Sequence, residues 1–148
     1  MSKEREDKNI AARWLEGFWG ASWSPTIVDD LAADDIILQF SLQSPCCGRD
    51  DAKKFLAEIH EAFCGLEFHS VADLAVDGDY VFGRLEGSGT HTGAAFLDFL
   101  VGFPPAKSGQ NVHLAGTTTL RVQNGRIAEA MTRMTWAVEW PRVGKAAA

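Results

Sequence analysis

The chain of 148 residues holds only three cysteines, an adjacent pair at Cys46 and Cys47 and a single Cys64. A set so small, odd and badly spaced is neither a disulfide framework nor a metal-ligand signature, and it makes a reducing cytoplasm the expected location. Positive charge is scarce as well: 14 Lys and Arg stand against 20 Asp and Glu, a net charge of −6. Phosphate backbones are bound by basic surfaces, so no nucleic acid is expected as a partner. Long apolar runs are missing too. The opening MSKEREDKNI is charged and has no apolar centre, which fits neither a signal peptide nor a membrane anchor, and no membrane association is expected. There is no internal repeat, and the Ala-rich end after Trp140 is the one biased tract; it is expected to fray. What the chain does have is 46% hydrophobic and 23% charged residues, the balance of an ordinary soluble domain. Its length implies one domain, residues 1–148 with a core of about 9–138, able to bury roughly 70% of its unfolded surface.

The densest information lies between Val112 and Val138, VHLAGTTTLRV-QNGR-IAEAMTRMTWAV. Asn124-Gly125 accepts the two positive φ angles of a two-residue hairpin turn, and β-formers flank it on both sides. A regular register sets Val122 opposite Ile127, Leu120 opposite Glu129, Thr118 opposite Met131, Gly116 opposite Arg133 and Leu114 opposite Thr135. Alternation then places Leu114, Thr118, Leu120, Ile127, Glu129, Met131, Arg133 and Thr135 on one face. That face is the more apolar and is expected to look inward, yet it carries ionisable groups. A face of this mixed kind suits a ligand pocket. Thr117, Thr119, Arg121, Thr132, Met134 and Trp136 take the other face, expected to meet a second copy in a homodimer.

Upstream, Ile10, Trp14, Phe18 and Ala21 recur at helical spacing and predict a helix from Asn9 to about Ser22. Gly17 and Gly20 within it suggest close approach to another element. Ser24-Pro25 starts a short second helix to about Ala32. Asp34 and Asp35 follow, either a carboxylate pair for acid/base work or corner residues bonded to backbone, ahead of a strand Ile36–Phe40. Asp50 to about Phe63 is a third helix, with Phe55, Leu56 and Ile59 on its buried face and His60 at the stripe's edge. A second hairpin turns about Asp77-Gly78 between LEFHSVADLAV and DYVFGRLEGSGTH. It places Phe68, Leu74, Val81, Leu85 and His91 inward and His69, Asp73, Arg84 and Glu86 outward. Helices, a strand, a helix and four long antiparallel strands predict an α+β fold.

The run GSGTHTG (87–93), the Pro104-Pro105 pair, the GTTTLRV strand and NGRIAEA after it resemble the SnoaL-like polyketide cyclases, within the nuclear transport factor two-like superfamily. That family's usual pattern is GTHxG, a G-x-PP-T-G loop, a strand ending in F-R, and D-G-K-I-x-E-x-W with an Asp four residues beyond the Trp. The resemblance spans about residues 9 to 136. It implies a conical, curved, mostly antiparallel sheet wrapped around N-terminal helices, a deep pocket, and a homodimer through the sheet. It also implies general acid/base chemistry by an Asp, with no metal and no cofactor. Three departures stand out: Thr135 occupies the acid position, Met131 replaces the Trp, and the 94–108 loop, rich in Phe and Leu, is longer.

On this basis the chain is expected to be a cofactor-independent cyclase or isomerase, acting on a polyketide-like or other apolar carbonyl substrate. The catalytic candidates are His91, Arg133 and Thr135. Trp14, Phe18, Phe40, Phe68, Thr118, Glu129 and Met131 are the expected pocket lining around a small apolar or aromatic ligand. Thr135→Asp would restore the family's acid beside Arg133. The alternative is a binding module without catalysis. An epoxide-opening hydrolase and a protein-interaction subunit fit less well. For single residues the plainer readings stay open: His91 capping a strand end, Arg133 paired with Glu129, and the aromatics serving as core.

Overall fold

Helix α1 covers Lys3–Trp19 in the computed structural model, which describes residues 2–40, 45–71, 73–91 and 111–138. It begins well before the apolar stripe because Ser2 caps it, accepting a hydrogen bond from the Arg5 amide at 3.2 Å. Glu4 and Glu6 sit in the first turn, where the helix end is positive. The Lys3 ammonium lies 2.6 Å from Asp7 and 3.0 Å from Asp79, and Asp7 is buried. A segment that reads as a charged tail is thus docked on a hairpin turn. Helix α2 is Thr26–Leu31, entered through Pro25 at φ −58°. Gly17 lets the two helices pack closely, since a Cβ there would fall inside the Ile27 side chain.

The remaining elements are β1 (Ala32–Phe40), β2 (Cys46–Cys47), α3 (Arg49–Ala62), β3 (Phe63–Ser70), β4 (Ala75–Asp77), β5 (Tyr80–His91), β6 (Asn111–Gln123) and β7 (Arg126–Val138). The sheet order is β2-β1-β7-β6-β5-β3, with β4 on β5. The β1–β7 pair is parallel and the other pairs are antiparallel. The result is the expected α+β fold, helices against one face of an open, curved, seven-stranded sheet. The second hairpin differs from expectation in two places. Its turn is Gly78-Asp79, with Asp77 paired to Tyr80, and its first strand breaks between Ser70 and Ala75.

Asn124 and Gly125 form the expected turn at φ 53° and 75°, and Val122 faces Ile127. The next pair is Arg121 with Glu129, so Ala128 is an extra residue in β7. From there on, β7 is shifted by one: Leu120 faces Ala130, Thr118 faces Thr132, Gly116 faces Met134 and Leu114 faces Trp136. The expected face of β7 is therefore exchanged. Ala130, Thr132 and Met134 are buried against the helices, whereas Met131, Arg133 and Thr135 are exposed and Glu129 is half-exposed. In the regular register Glu129 would lie beside Leu120, which is 1% exposed. Burying a lone carboxylate costs several kcal/mol, whereas a bulge gives up roughly one ladder hydrogen bond, about 1 kcal/mol net. The bulge wins, and Glu129 instead meets Arg121 across the strands at 3.2 Å.

Between sheet and helices the aromatic residues pack on one another. Trp14 stacks on Phe18 at 5.1 Å, Trp19 contacts Phe40 at 5.5 Å and Phe68 at 5.2 Å, and Phe55 contacts Phe40 at 5.3 Å. Truncating any of these to Ala would cost about 3–5 kcal/mol. His60 is not at the boundary but buried, with its Nε2 2.8 Å from the Phe18 carbonyl and its ring stacked on Trp23 at 4.1 Å. Burial pulls its pKa below the usual 6.5, and the carbonyl bond offsets part of that. In the unfolded chain the imidazole takes a proton at higher pH than in the folded one. The stability it supports is therefore complete above about pH 6.5 and is lost as pH falls from 6.5 toward the folded pKa. The expected outcome is that His60→Gln flattens the loss of stability on acidification across this window, measured by denaturant melts. Parallel slopes in both proteins would contradict it.

Candidate functional site

The break between β3 and β4 opens the fold. A cavity of about 500 Å³ lies between α1 and the β3–β5 end of the sheet. Leu15, Phe68, Leu74 and Leu85 form its apolar walls, and Glu16, His69, Ser70 and Asp73 bring polar groups to it. Its size is that of an ordinary small-molecule site. Phe68 is held in place by Gly87, where a Cβ would overlap the Phe68 ring. Glu16 is the residue whose carbonyl ends α1, and its carboxylate lies where a side chain on Gly20 would be. The two carboxylates, Glu16 and Asp73, are exposed at the cavity. Among the described residues no lysine or arginine lines it.

The residues expected to make one site are divided by the sheet. Phe68 lines the inner cavity. Trp14, Phe18 and Phe40 lie on the same side of the sheet but are fully packed core. Thr118 is buried there too, with its hydroxyl 3.1 Å from that of Thr132. Glu129, Met131, Arg133 and Thr135 stand on the opposite face, a correction that follows directly from the extra Ala128. Arg133 is not paired with Glu129, which pairs with Arg121 instead. His91 ends β5, with its backbone paired to Phe63, and its side chain lies outside the described residues, as do Pro104-Pro105 and the 94–108 loop. Asp34 forms an ion pair with Arg49 at 2.7 Å. Asp34 and Asp35 border a larger recess of about 770 Å³ with Arg49, Arg121 and Arg126, away from the inner cavity.

Arg133 and Thr135 do share a second, smaller recess of about 340 Å³ with Val71, Arg84, Glu86 and Thr117. The Thr135 hydroxyl donates to the Ala115 carbonyl at 3.1 Å. Among the described residues no group of three His, Cys, Asp or Glu is placed to hold a metal ion. No helix among them is long and apolar enough to cross a membrane.

Sequence reasoning missed Glu16 and placed His69 and Asp73 on the outer face. Unbroken alternation sends both outward; His69 keeps that register opposite Glu86 and borders the cavity from the end of β3, whereas Asp73 reaches it because the strand stops at Ser70. The interruption had a signal in Val71-Ala72-Asp73, where a β-former gives way to a residue depleted in strands.

The sequence signature of the SnoaL-like polyketide cyclases matches residues 9–133. The chain belongs to that family. No curated protein sequence matches it. Among solved structures, a SnoaL-like protein from Jannaschia sp. CCS1 superposes with a TM-score of 0.75 at 23% identity, covering 90% of this chain and 89% of that one. AclR from Streptomyces galilaeus gives 0.71 at 17% identity, over 99% and 95%. A protein of ketosteroid isomerase-like fold from Catenulispora acidiphila, in complex with trimethylamine, gives 0.64 at 16% identity, over 83% and 82%. These identities establish a shared fold and nothing finer.

In this SnoaL-like chain the position expected to hold the acid, Thr135, faces away from the helices. Thr135→Asp should therefore add an exposed carboxylate beside Arg133, worth at most about 1 kcal/mol. It should leave the occupancy of the inner cavity unchanged. Thermal melts together with a ligand titration check this, and a new activity dependent on Asp at 135 would contradict it.

Proposed function

We propose that the chain is a cofactor-independent isomerase or cyclase that works on a small apolar carbonyl compound in the inner cavity. Membership of a cyclase and isomerase family supports this, since its fold serves small-molecule chemistry. The observation that carries the reading is the cavity itself, apolar on its walls and carrying carboxylates at Glu16 and Asp73. In this reading one carboxylate removes the proton α to the carbonyl, and the electron pair passes to the carbonyl oxygen as an enolate. The acid so formed returns the proton at a second carbon, which shifts a double bond, or at oxygen after the enolate carbon has attacked a second carbonyl and closed a ring. The proton is conserved and nothing else is consumed, as a site with acid/base groups requires. Arg133 and Thr135 take no part on this reading.

A second copy is expected to pack on the outer face, where the exposed side chains of Ile37, Tyr80, Phe82 and Met131 lie on neighbouring rows of the sheet. This replaces Thr132 and Met134, which the bulge turns inward. Light scattering at tens of micromolar (an order-of-magnitude concentration for weak complexes) reads the dimer, and Phe82→Glu should dissociate it.

The alternative is binding without turnover, since the position where the family resemblance puts the acid is Thr135 in this chain. Both readings are tested with cyclic β,γ-unsaturated ketones, whose conjugation is followed by ultraviolet absorbance. Leu74→Trp should fill the cavity and abolish binding. Replacing the true base, by Glu16→Gln or Asp73→Asn, should lower turnover by roughly 10²-fold or more with binding kept. Binding without turnover in the wild type would establish the binding module, and turnover that survives Leu74→Trp would remove the cavity from the account.

A further inference from the structure

We propose that the recess on the outer sheet face, around Arg84 and Arg133, is a second ligand site that binds a small carboxylate. The register places these two arginines on either side of Thr117 in one row, with Arg84 opposite Thr117 on β5 and Arg133 opposite it on β7. Neighbouring strands lie about 4.8 Å apart, so the two Cα atoms stand about 10 Å apart with Thr117 midway. Guanidinium arms of that reach can close on one anion from both sides. Both line the same recess of about 340 Å³.

Partnership separates these arginines from others around the sheet. Arg121 is paired with Glu129, Arg49 with Asp34, and Arg126 donates to the Ala32 carbonyl. Among the described residues Arg84 and Arg133 have no carboxylate at ion-pair distance. Two like charges facing one hollow repel each other, and an anion placed between them relieves that repulsion. The Thr117 hydroxyl between them is a third donor, whereas the Thr135 proton already goes to Ala115.

The class of anion follows from the rest of the lining. Glu86 sits on the next row, opposite Ala115, and leaves the recess with a formal charge of +2 − 1 = +1. A monoanion matches that charge, and a phosphate dianion would feel the Glu86 carboxylate. The fork of a guanidinium fits the two oxygens of a carboxylate side by side. Val71, 40% exposed at the rim, offers apolar surface to the body of an organic acid. The recess begins one row beyond Phe82 and Met131, at the margin of the expected dimer contact. It borders the inner cavity at Val71 and Leu85, but Arg84, Thr117 and Arg133 line only this recess, and it does not depend on the activity proposed there.

Benzoate is the probe, titrated into the full-length protein by amide chemical-shift mapping, with inorganic phosphate for comparison. The expected result is saturable benzoate binding with a Kd on the order of 1 mM, with shifts centred on Thr117, Arg133 and Thr135. Arg84→Gln and Arg133→Gln should each weaken it at least about tenfold, and Glu86→Gln should tighten it and admit phosphate. Leu74→Trp, which fills the inner cavity, should leave it unchanged. Because both arginines are exposed, unaltered melts in the Gln variants will show that the fold is intact. No saturable binding, binding indifferent to both Arg substitutions, binding lost in Leu74→Trp, or phosphate preferred over benzoate by the wild type would each overturn the proposal.

Discussion

One extra residue, Ala128 in β7, decides which side chains of the last strand meet the helices. A strand alternates with a period of two, so a single insertion exchanges the faces of everything after it. Here the exchange moves Glu129 and Arg133 out of an apolar interior and replaces them with Ala130, Thr132 and Met134. The energetic preference is not close: a buried lone charge costs several kcal/mol, and the bulge about one hydrogen bond. Gly116 is part of the same arrangement, because a Cβ there would collide with the Arg133 carbonyl. Thr118 and Thr132, brought opposite each other, satisfy their hydroxyls in the core. Leaving either alone would cost about 1–3 kcal/mol.

The bulge also separates two chemistries. The helix-facing side is an aromatic core that opens into the cavity beside α1, with carboxylates and, among the described residues, no lysine or arginine in its lining. The outer side carries Arg84, Arg133 and Thr117 next to exposed Tyr80, Phe82 and Met131. A carbonyl compound and an anion would thus be received on opposite faces of one sheet.

Much of this was legible in the residues. The stripe of Ile10, Trp14 and Phe18, the Asn124-Gly125 turn and the long β-forming runs gave the elements, their order and the fold. Membership of the SnoaL-like family was carried by GSGTHTG and NGRIAEA. The register of β7 was not legible from alternation alone, because both parities of IAEAMTRMTW mix small, polar and apolar residues. The signal that could have decided it is the placement of Glu129 and Arg133 on the parity of Ile127. Two charges on an inward face argue for a bulge just after Ile127. The docking of Lys3 on Asp79 could not be read locally, since it joins residues far apart in the chain. The cavity depended on a strand break at 71–74 that unbroken alternation conceals.

The exchange of faces in β7 is the central claim, and thiol accessibility tests it directly. With Cys46, Cys47 and Cys64 changed to Ser, single cysteines are introduced by Thr132→Cys, Arg133→Cys, Met134→Cys and Thr135→Cys and their maleimide labelling rates compared under native conditions. The account predicts rapid labelling at 133 and 135 and protection at 132 and 134 until the protein unfolds. Protection at 133 and 135 with rapid labelling at 132 and 134 would restore the regular register and return Arg133 and Thr135 to the interior.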